Sequence, residues 1–303
     1  MKASRLAIRL TVLLFVSLGI TGCQGSSEKP AAAETYEYTD DYGNTVSVPA
    51  EPRRVVSLSP AVTEIVCALG RADLLVGRTD FCLYPPEVQS IESIGGISNL
   101  NVEKILSMNP DLVISGSMIP QKSAEHLMSL GVPMVCVIEK NRFEGLYENI
   151  AKIGRLIGRP ATADSLVAAL KREMDDDRAQ HAGTSDSPRP TVYYVVGFGA
   201  GGNFTAGGDT FINDLIAMAG GRNIAAGVKG WNYSLEALLD ADPDYIIIRR
   251  EDSASFCTTA PYTRLDAVRK GRVVAIESST IDLQVPRNID CVRRLREAFA
   301  NSK

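Results

Sequence analysis

Few residues in this chain have the types and spacing that covalent or metal chemistry needs. There are two histidines, His126 and His181. Neither belongs to a His-x-x-x-His pair or a Cys/His cluster, so a metal site built on several histidines is not expected. Ser57 and Ser59 follow an apolar run, but no Gly-x-Ser-x-Gly elbow surrounds them. The run Gly197-Phe198-Gly199-Ala200-Gly201-Gly202 lacks the Lys-Ser/Thr of a Walker loop and leads into Asn203-Phe204-Thr205, not a helix. It reads as flexible or closely approached backbone. No Cys-x-x-Cys unit is present, so redox catalysis has little support. What the chain offers is contact surface. Phe81 and Tyr84 fall in its first half, and Phe198, Phe204, Trp231 and Tyr233 in its second. Trp231, between Gly230 and Asn232, is the least core-like of these, and Ser59 joins them as a polar contact at a strand end. The chemistry this pattern favours is binding without turnover.

Such residues need elements that bring them together. Val55-Val56-Ser57-Leu58 reads as a strand and Thr63 to Leu69 as a helix. Leu74 to Gly77 reads as a strand, and a helix from about Val102 to Met108 leads to the strand Asp111 to Ile114. A helix ending over His126 to Leu130 precedes the strand Met134 to Ile138. The β-α-β alternation predicts a parallel sheet wrapped by helices. Helical periodicity then runs from Tyr147 to Ile157, and again from about Ala163 to Arg178, where Leu166, Leu170 and Met174 share one face. After the loop 183–188, strands at Val192 to Val196, Tyr245 to Ile248 and Val273 to Ile276 open a second alternation. The order is lobe, long helix, lobe. Ligand sites favour domain interfaces and strand carboxyl ends, so the aromatic residues are expected to line a groove between the lobes.

An internal echo supports two similar lobes. Residues 101–115 and 234–248 each carry a capping residue, Asn101 or Ser234, then a short amphipathic helix, then Pro-Asp and a buried strand. Glu103 and Glu236 occupy the same place in the two copies.

The N-terminus predicts export. Lys2, Arg5 and Arg9 precede the uncharged run Leu10 to Ile20. That run is shorter than the about 20 residues a membrane span needs, and its layout is that of a signal peptide. It ends Leu18-Gly19-Ile20-Thr21-Gly22-Cys23, which resembles a bacterial lipoprotein box. That resemblance implies a leader over 1–22 and lipid on Cys23. The small, polar residues 23–35 read as a flexible tether. Loss of the three leader cations takes the net charge from −4 to −7. With no basic run, nucleic-acid binding has no support. Five cysteines follow the lipidation site, Cys67, Cys82, Cys136, Cys257 and Cys291. In an oxidising compartment the short loop between Cys67 and Cys82 makes them the best candidates for a disulfide.

Several segments resemble the class III periplasmic binding proteins, the receptors of vitamin B12, ferric-siderophore and haem ABC importers. They are Arg53-Arg54-Val55-Val56-Ser57-Leu58-Ser59-Pro60-Ala61-Val62-Thr63-Glu64, Tyr84-Pro85-Pro86-Glu87, Asn101-Val102-Glu103-Lys104-Ile105 and Asn109-Pro110-Asp111-Leu112-Val113-Ile114. Phe198-Gly199, Phe204-Thr205-Ala206-Gly207 and Gly220-Gly221-Arg222-Asn223-Ile224 continue the likeness, which runs from about 50 to 298. The resemblance implies an α/β fold of two Rossmann-like lobes, 36–160 and 185–303, joined by one rigid helix at 161–184. It also implies a ligand cleft between the lobes and little opening or closing. Glu103 and Glu236 would each meet one subunit of an ABC permease dimer. The protein is expected to be a monomer with no cofactor or resident metal, its cargo a bulky metal chelate. Cobalamin or another corrinoid leads, ahead of ferric siderophore and then haem. The cobalamin receptors are the nearest likeness, but three of their features are missing. The position of their cleft tryptophan is Ile97, that of their cleft aspartate falls in Ser278-Ser279-Thr280 near Asp282, and of the two cysteines they pair, one is matched by Cys291 while the other position is Ala219. Arg78, Arg249, Arg250 and Arg287 bear on the cargo, because free arginines in the cleft would suit an anionic chelate. The alternatives of another class are an exported enzyme or a scaffold protein on the same fold.

Overall fold

The computed structural model describes residues 34–97, 100–181 and 188–300. The leader, Cys23 and the tether up to residue 33 lie outside the described residues. A hairpin comes first, β1 (Thr35–Thr39) against β2 (Thr45–Pro49), antiparallel around Gly43 at φ +85°. Alternation along β2 buries Val46 and Val48 and exposes Thr45 and Ser47. The turn is fixed by Asp40, a buried carboxylate that accepts from the backbone of Tyr42 and Asn44 and from Cys136 N–H. The hairpin stands where the sequence predicts only the start of the first lobe.

The first lobe then runs β3 (Val55–Ser57), α1 (Pro60–Ala68), β4 (Leu75–Arg78), α2 (Val102–Ser107), β5 (Leu112–Ser115), α3 (Gln121–Ser129), β6 (Met134–Cys136) and α4 (Gly145–Leu156). Its four strands are parallel in the order β4-β3-β5-β6. α5 (Pro160–Gln180) leads to the second lobe. That lobe contains β7 (Thr191–Val195), α6 (Phe211–Met218), β8 (Arg222–Asn223), α7 (Leu235–Ala241), β9 (Tyr245–Arg249), α8 (Arg250–Thr258), α9 (Asp266–Arg269), β10 (Val273–Ile276), α10 (Ser278–Ile281) and α11 (Asn288–Ala300). Its sheet is also parallel, in the order β10-β9-β7-β8.

Strand alternation divides the interior into three cores. Val55, Leu112, Ile114 and Val135 of the first sheet point to the same apolar cluster as Val192, Tyr194, Tyr245 and Ile247 of the second. Helix residues from both lobes, among them Leu146, Ile150, Leu170, Met174, Ile216 and Leu295, complete that shared cluster. The intervening residues point the other way. Val56, Val113 and Met134 enter a core private to the first lobe, and Tyr193, Val195, Ile246 and Ile248 one private to the second. Both faces of each parallel sheet are therefore covered, which is why the strands read as continuous apolar runs. Leu170 and Met174 of α5 are buried in the shared core and Leu166 packs against it, so this helix is a wall of the core as well as a connection.

The echo in the sequence is an echo in structure. Asn101 caps α2 by accepting from Lys104 N–H at 2.9 Å, and Ser234 caps α7 by accepting from Ala237 N–H at 3.0 Å. Each helix exits through a left-handed residue, Asn109 (φ +46°) or Asp242 (φ +34°), residue types that tolerate that region. The Asp after each proline then holds the start of the neighbouring strand. Asp111 accepts from Arg53 and Arg54 N–H at 2.7 and 3.0 Å, next to β3. Asp244 accepts from the Thr191 N–H and hydroxyl, both at 2.8 Å, at the start of β7.

Candidate functional site

The carboxyl ends of both sheets carry the loops where ligand contacts were expected. After β4, Phe81, Leu83 and Tyr84 are exposed, at 58%, 56% and 40% of their surface. After β5, Met118 is 74% exposed, and in the second lobe Trp231 is 45% exposed. Large apolar side chains this open on strand-end loops are the material from which an exposed binding surface is made. Leu83 and Met118 were not singled out from the sequence. Only their position after a strand hints at them, because Leu and Met are usually core residues.

The other expected contacts are placed differently. Ser59, at the N-terminus of α1, is 5% exposed. It packs toward Gly116, where an added Cβ would lie 3.0 Å from the Ser59 hydroxyl and 2.8 Å from a Glu139 carboxylate oxygen. Ser117 donates from its backbone and hydroxyl to Glu139, so the strand-end floor of the first lobe is polar. Phe198 packs edge-on against Phe256 (5.2 Å between centroids) and Tyr262 (5.6 Å), in the private core of the second lobe. Tyr233 lies 5.6 Å from Tyr193 in the same core, and burial pushes its phenol pKa up. Phe204 is partly buried. It exchanges backbone hydrogen bonds with Gly197 and pairs with Asn232, so the glycine run forms a short arm folded over the Phe204 ring. An added Cβ at Gly197 would come 3.1 Å from that ring, which accounts for glycine there. Ile97 is buried in the first lobe's private core.

Cys67 and Cys82 do not form the expected disulfide; both are free thiols. The Cys82 sulfur instead faces the Thr79 hydroxyl at 3.2 Å. Burial, followed by the nearby Glu64 carboxylate, pushes the Cys67 thiol up to about 11. Cys136, Cys257 and Cys291 are free as well. Among the described residues, no group of three or more His, Cys, Asp or Glu is placed to hold a metal ion.

The four arginines flagged in the sequence are all engaged. Arg78 is buried and donates to the carbonyls of Val88 (2.8 Å), Thr79 (3.0 Å) and Gln89 (3.0 Å). Arg249 donates to Asp282 at 2.9 Å, and the same carboxylate accepts from the buried Tyr194 phenol. Burial, then the Asp282 charge, raises the Tyr194 pKa well above its ordinary value. Arg250 pairs with Glu277. Arg287 pairs with Glu64 across the lobes at 2.8 Å through both oxygens, with its guanidinium 3.6 Å from the Tyr84 ring centroid. Burial pushes the Glu64 carboxyl up, and its bonds to Arg287 pull it back without cancelling the rise.

Further ties join the lobes. The buried Gln284 amide donates to the carbonyls of Lys140 and Arg142, and Asp214 of α6 accepts from Phe143 N–H (3.0 Å) and pairs with Arg142 (3.2 Å). A concavity of about 400 Å³ lies near these ties, lined by Phe143, Tyr147, Lys171, Asp175 and Asp214 among others. It abuts α5 and α6 and contains none of the strand-end aromatics.

Glu103 and Glu236 are exposed in the first turns of α2 and α7, a placement the helix dipole favours for any carboxylate.

Comparison with known proteins agrees with this architecture. Residues 55–280 match the periplasmic binding protein family. The chain is 30% identical over 300 residues to YvrC of Bacillus subtilis, described as an uncharacterized ABC transporter substrate-binding lipoprotein, covering 97% of this chain and 95% of that one. It is 33% identical over 279 residues to a cobalamin-binding protein of Halobacterium salinarum, covering 86% and 73% respectively. Among solved structures, a periplasmic heme binding protein from Pseudomonas aeruginosa superposes with a TM-score of 0.76 at 27% identity, covering 83% of this chain and 94% of that one. Two parallel-sheet lobes, exposed aromatic residues at the strand ends and this extent of matching lead to one conclusion: the chain belongs to the periplasmic binding protein family and is a substrate-binding protein of an ABC importer, not an enzyme.

Proposed function

We propose that this protein captures cobalamin or a closely related corrinoid between its lobes and delivers it to an ABC permease. The carrying observation is the state of the arginines around the strand ends. Arg249, Arg250 and Arg287 are each paired with a carboxylate, and Arg78 is spent on backbone carbonyls. An anionic cargo such as haem propionates or a catecholate would have to compete with these carboxylates for the same cations, at a cost that is large at Arg287, whose partner Glu64 is only 5% exposed, and small at the exposed Arg250–Glu277 pair. The exposed surface is aromatic and apolar, with serine, Glu139 and backbone groups beneath it. That suits a large, neutral, amide-rimmed ring. Histidine, the commonest axial ligand for haem iron, is also poorly supported. His126 lies in the last turn of α3, at the end of that helix leading into β6 rather than the end fed by β5. The relative named for cobalamin binding is consistent with this reading.

Delivery would use Glu103 and Glu236, one per lobe, each meeting a cationic residue on one of two like permease subunits. Lipid on Cys23 would hold the protein at the outer face of a membrane, with lobes 36–160 and 185–303 swung on the tether 23–35. Calorimetric titration of the purified protein with cyanocobalamin, haem and a ferric hydroxamate tests the cargo. One-to-one binding of cyanocobalamin tighter than either comparator is expected. Preference for haem or the hydroxamate would keep the receptor and overturn the corrinoid.

A further inference from the structure

Arg287 stands out because one guanidinium serves three elements. It makes a two-pronged pair with Glu64 on α1, lies face-on over Tyr84 in the loop after β4, and donates to the Thr280 hydroxyl at 3.0 Å at the end of α10. Glu64 and Tyr84 belong to the first lobe, while Arg287 and Thr280 belong to the second. The Arg287 side chain is 18% exposed and Glu64 only 5%, so water weakens the pair little. Tyr84 has no ring partner among the described aromatic contacts, yet Arg287 covers it at 3.6 Å. An exposed loop tyrosine normally samples several rotamers and gives up that freedom on binding. A planar cation fixed from below holds the ring in one orientation beforehand, and the planar fork suits this in a way an ammonium does not.

We propose that Arg287 is a positioning residue for the cleft, fixing the Tyr84 ring as a preformed ligand contact and joining that contact to both lobes. The preformed ring rests on the structure alone; its contact with cargo rests on the cleft reading above. Held from behind by a cation, the ring presents a face with its negative potential partly cancelled, which disfavours a second cation stacking on the other side.

The test begins without ligand. Protein labelled with 3-fluorotyrosine gives one signal for Tyr84, assigned by its loss in Tyr84→Phe. Arg287→Gln is expected to move that signal to the solvent-exposed position and narrow it. Arg287→Lys, which keeps the charge but loses the fork, should also move it, and serves alone if the glutamine variant fails to fold. An unmoved Tyr84 signal in a folded variant overturns the proposal. With cyanocobalamin as probe, Arg287→Gln is expected to weaken binding about tenfold. Added to Tyr84→Ala it should cost nothing more, because the two act as one unit. Full additivity of the two losses overturns the positioning role. If the wild-type protein ignores cyanocobalamin, the cargo reading fails and the fluorine signal alone decides for or against Arg287.

Discussion

Trp231 is the only tryptophan in the chain, which makes it both the residue to perturb and the reporter. It keeps 45% of its surface exposed in the free protein, although its carbonyl is fixed by Thr205 N–H at 2.8 Å. A tryptophan can bury up to about 250 Å², so about 110 Å² is left for a ligand to cover. At about 25 cal/mol per Å², full coverage contributes about 2.8 kcal/mol, or roughly a hundredfold in affinity, and half coverage about tenfold. Trp231→Ala is therefore expected to weaken cyanocobalamin binding by between about ten- and a hundredfold. Thermal stability should change less than affinity, because nearly half of the side chain faces solvent. Calorimetry measures the affinity. In the wild-type protein, quenching of the indole emission by the corrin gives an independent titration of the same event. A loss below about threefold, or emission unchanged at saturation, would mean that the ligand does not cover this ring, and the exposed-patch argument for the cleft would fall with it.

Glu103→Ala and Glu236→Ala should leave cyanocobalamin affinity unchanged while lowering import into cells, with the double variant worse than either alone. Transport assays beside calorimetry separate docking from capture, and unaltered import by the double variant would remove both residues from the permease interface. Asp244 offers a pH signature. Burial opposes its charge, but the bonds from Thr191, followed by Arg272 and Arg222, hold its folded pKa below the ordinary 3.8. A depressed carboxylate stabilises the fold fully above its unfolded pKa and loses that contribution as pH falls through the folded value. The stability gap between wild type and Asp244→Asn, followed by thermal melting, should be constant at neutral pH and close in strongly acidic buffer. A gap that persists at the lowest pH would show that the carboxylate charge is not what holds β7.

What the sequence made legible follows from how far each signal reaches along the chain. The strands β3 to β7, β9 and β10 were all anticipated, because strands buried on both faces leave unbroken apolar runs bounded by turns. The echo was legible for a similar reason: capping, the left-handed exit and the Pro-Asp clamp are all written within fifteen positions. The hairpin β1–β2 had a readable signature, with Tyr36 and Tyr38, then Val46 and Val48, alternating around Asp-Asp-Tyr-Gly-Asn. Each strand of that hairpin is only five residues long, too short to stand out from the tether before it and the lobe after it. The site was less legible. A strand-end aromatic points into solvent or into a private core depending on the neighbours it meets, and those come from elsewhere in the chain. Phe198 found Phe256 and Tyr262, whereas Trp231 stays 45% exposed and has no ring partner among the described aromatic contacts. The Glu64–Arg287 pair joins residues 223 positions apart, and neither has a local pattern to announce it.

The shared core changes how the two lobes should be pictured. If α5 were the only connection, the lobes would move as far as a helix can bend. Here the α4 and α5 helices, the inner faces of both sheets and α11 enclose one continuous apolar cluster, and Asp214, Gln284 and Arg287 each tie one lobe to the other. A rotation wide enough to part the sheets would expose that cluster, at about 25 cal/mol for each Å² uncovered, and would leave Glu64 buried without its cation. The loops that hold Phe81, Leu83, Met118 and Trp231 carry no such penalty, since these side chains already face solvent. Ligand entry and release are thus cheapest when the loops move and the lobes stay nearly fixed. If Glu103 and Glu236 dock the permease as proposed, lobes that stay nearly fixed hold the two carboxylates at a nearly constant separation, and a permease could recognise the receptor by that spacing.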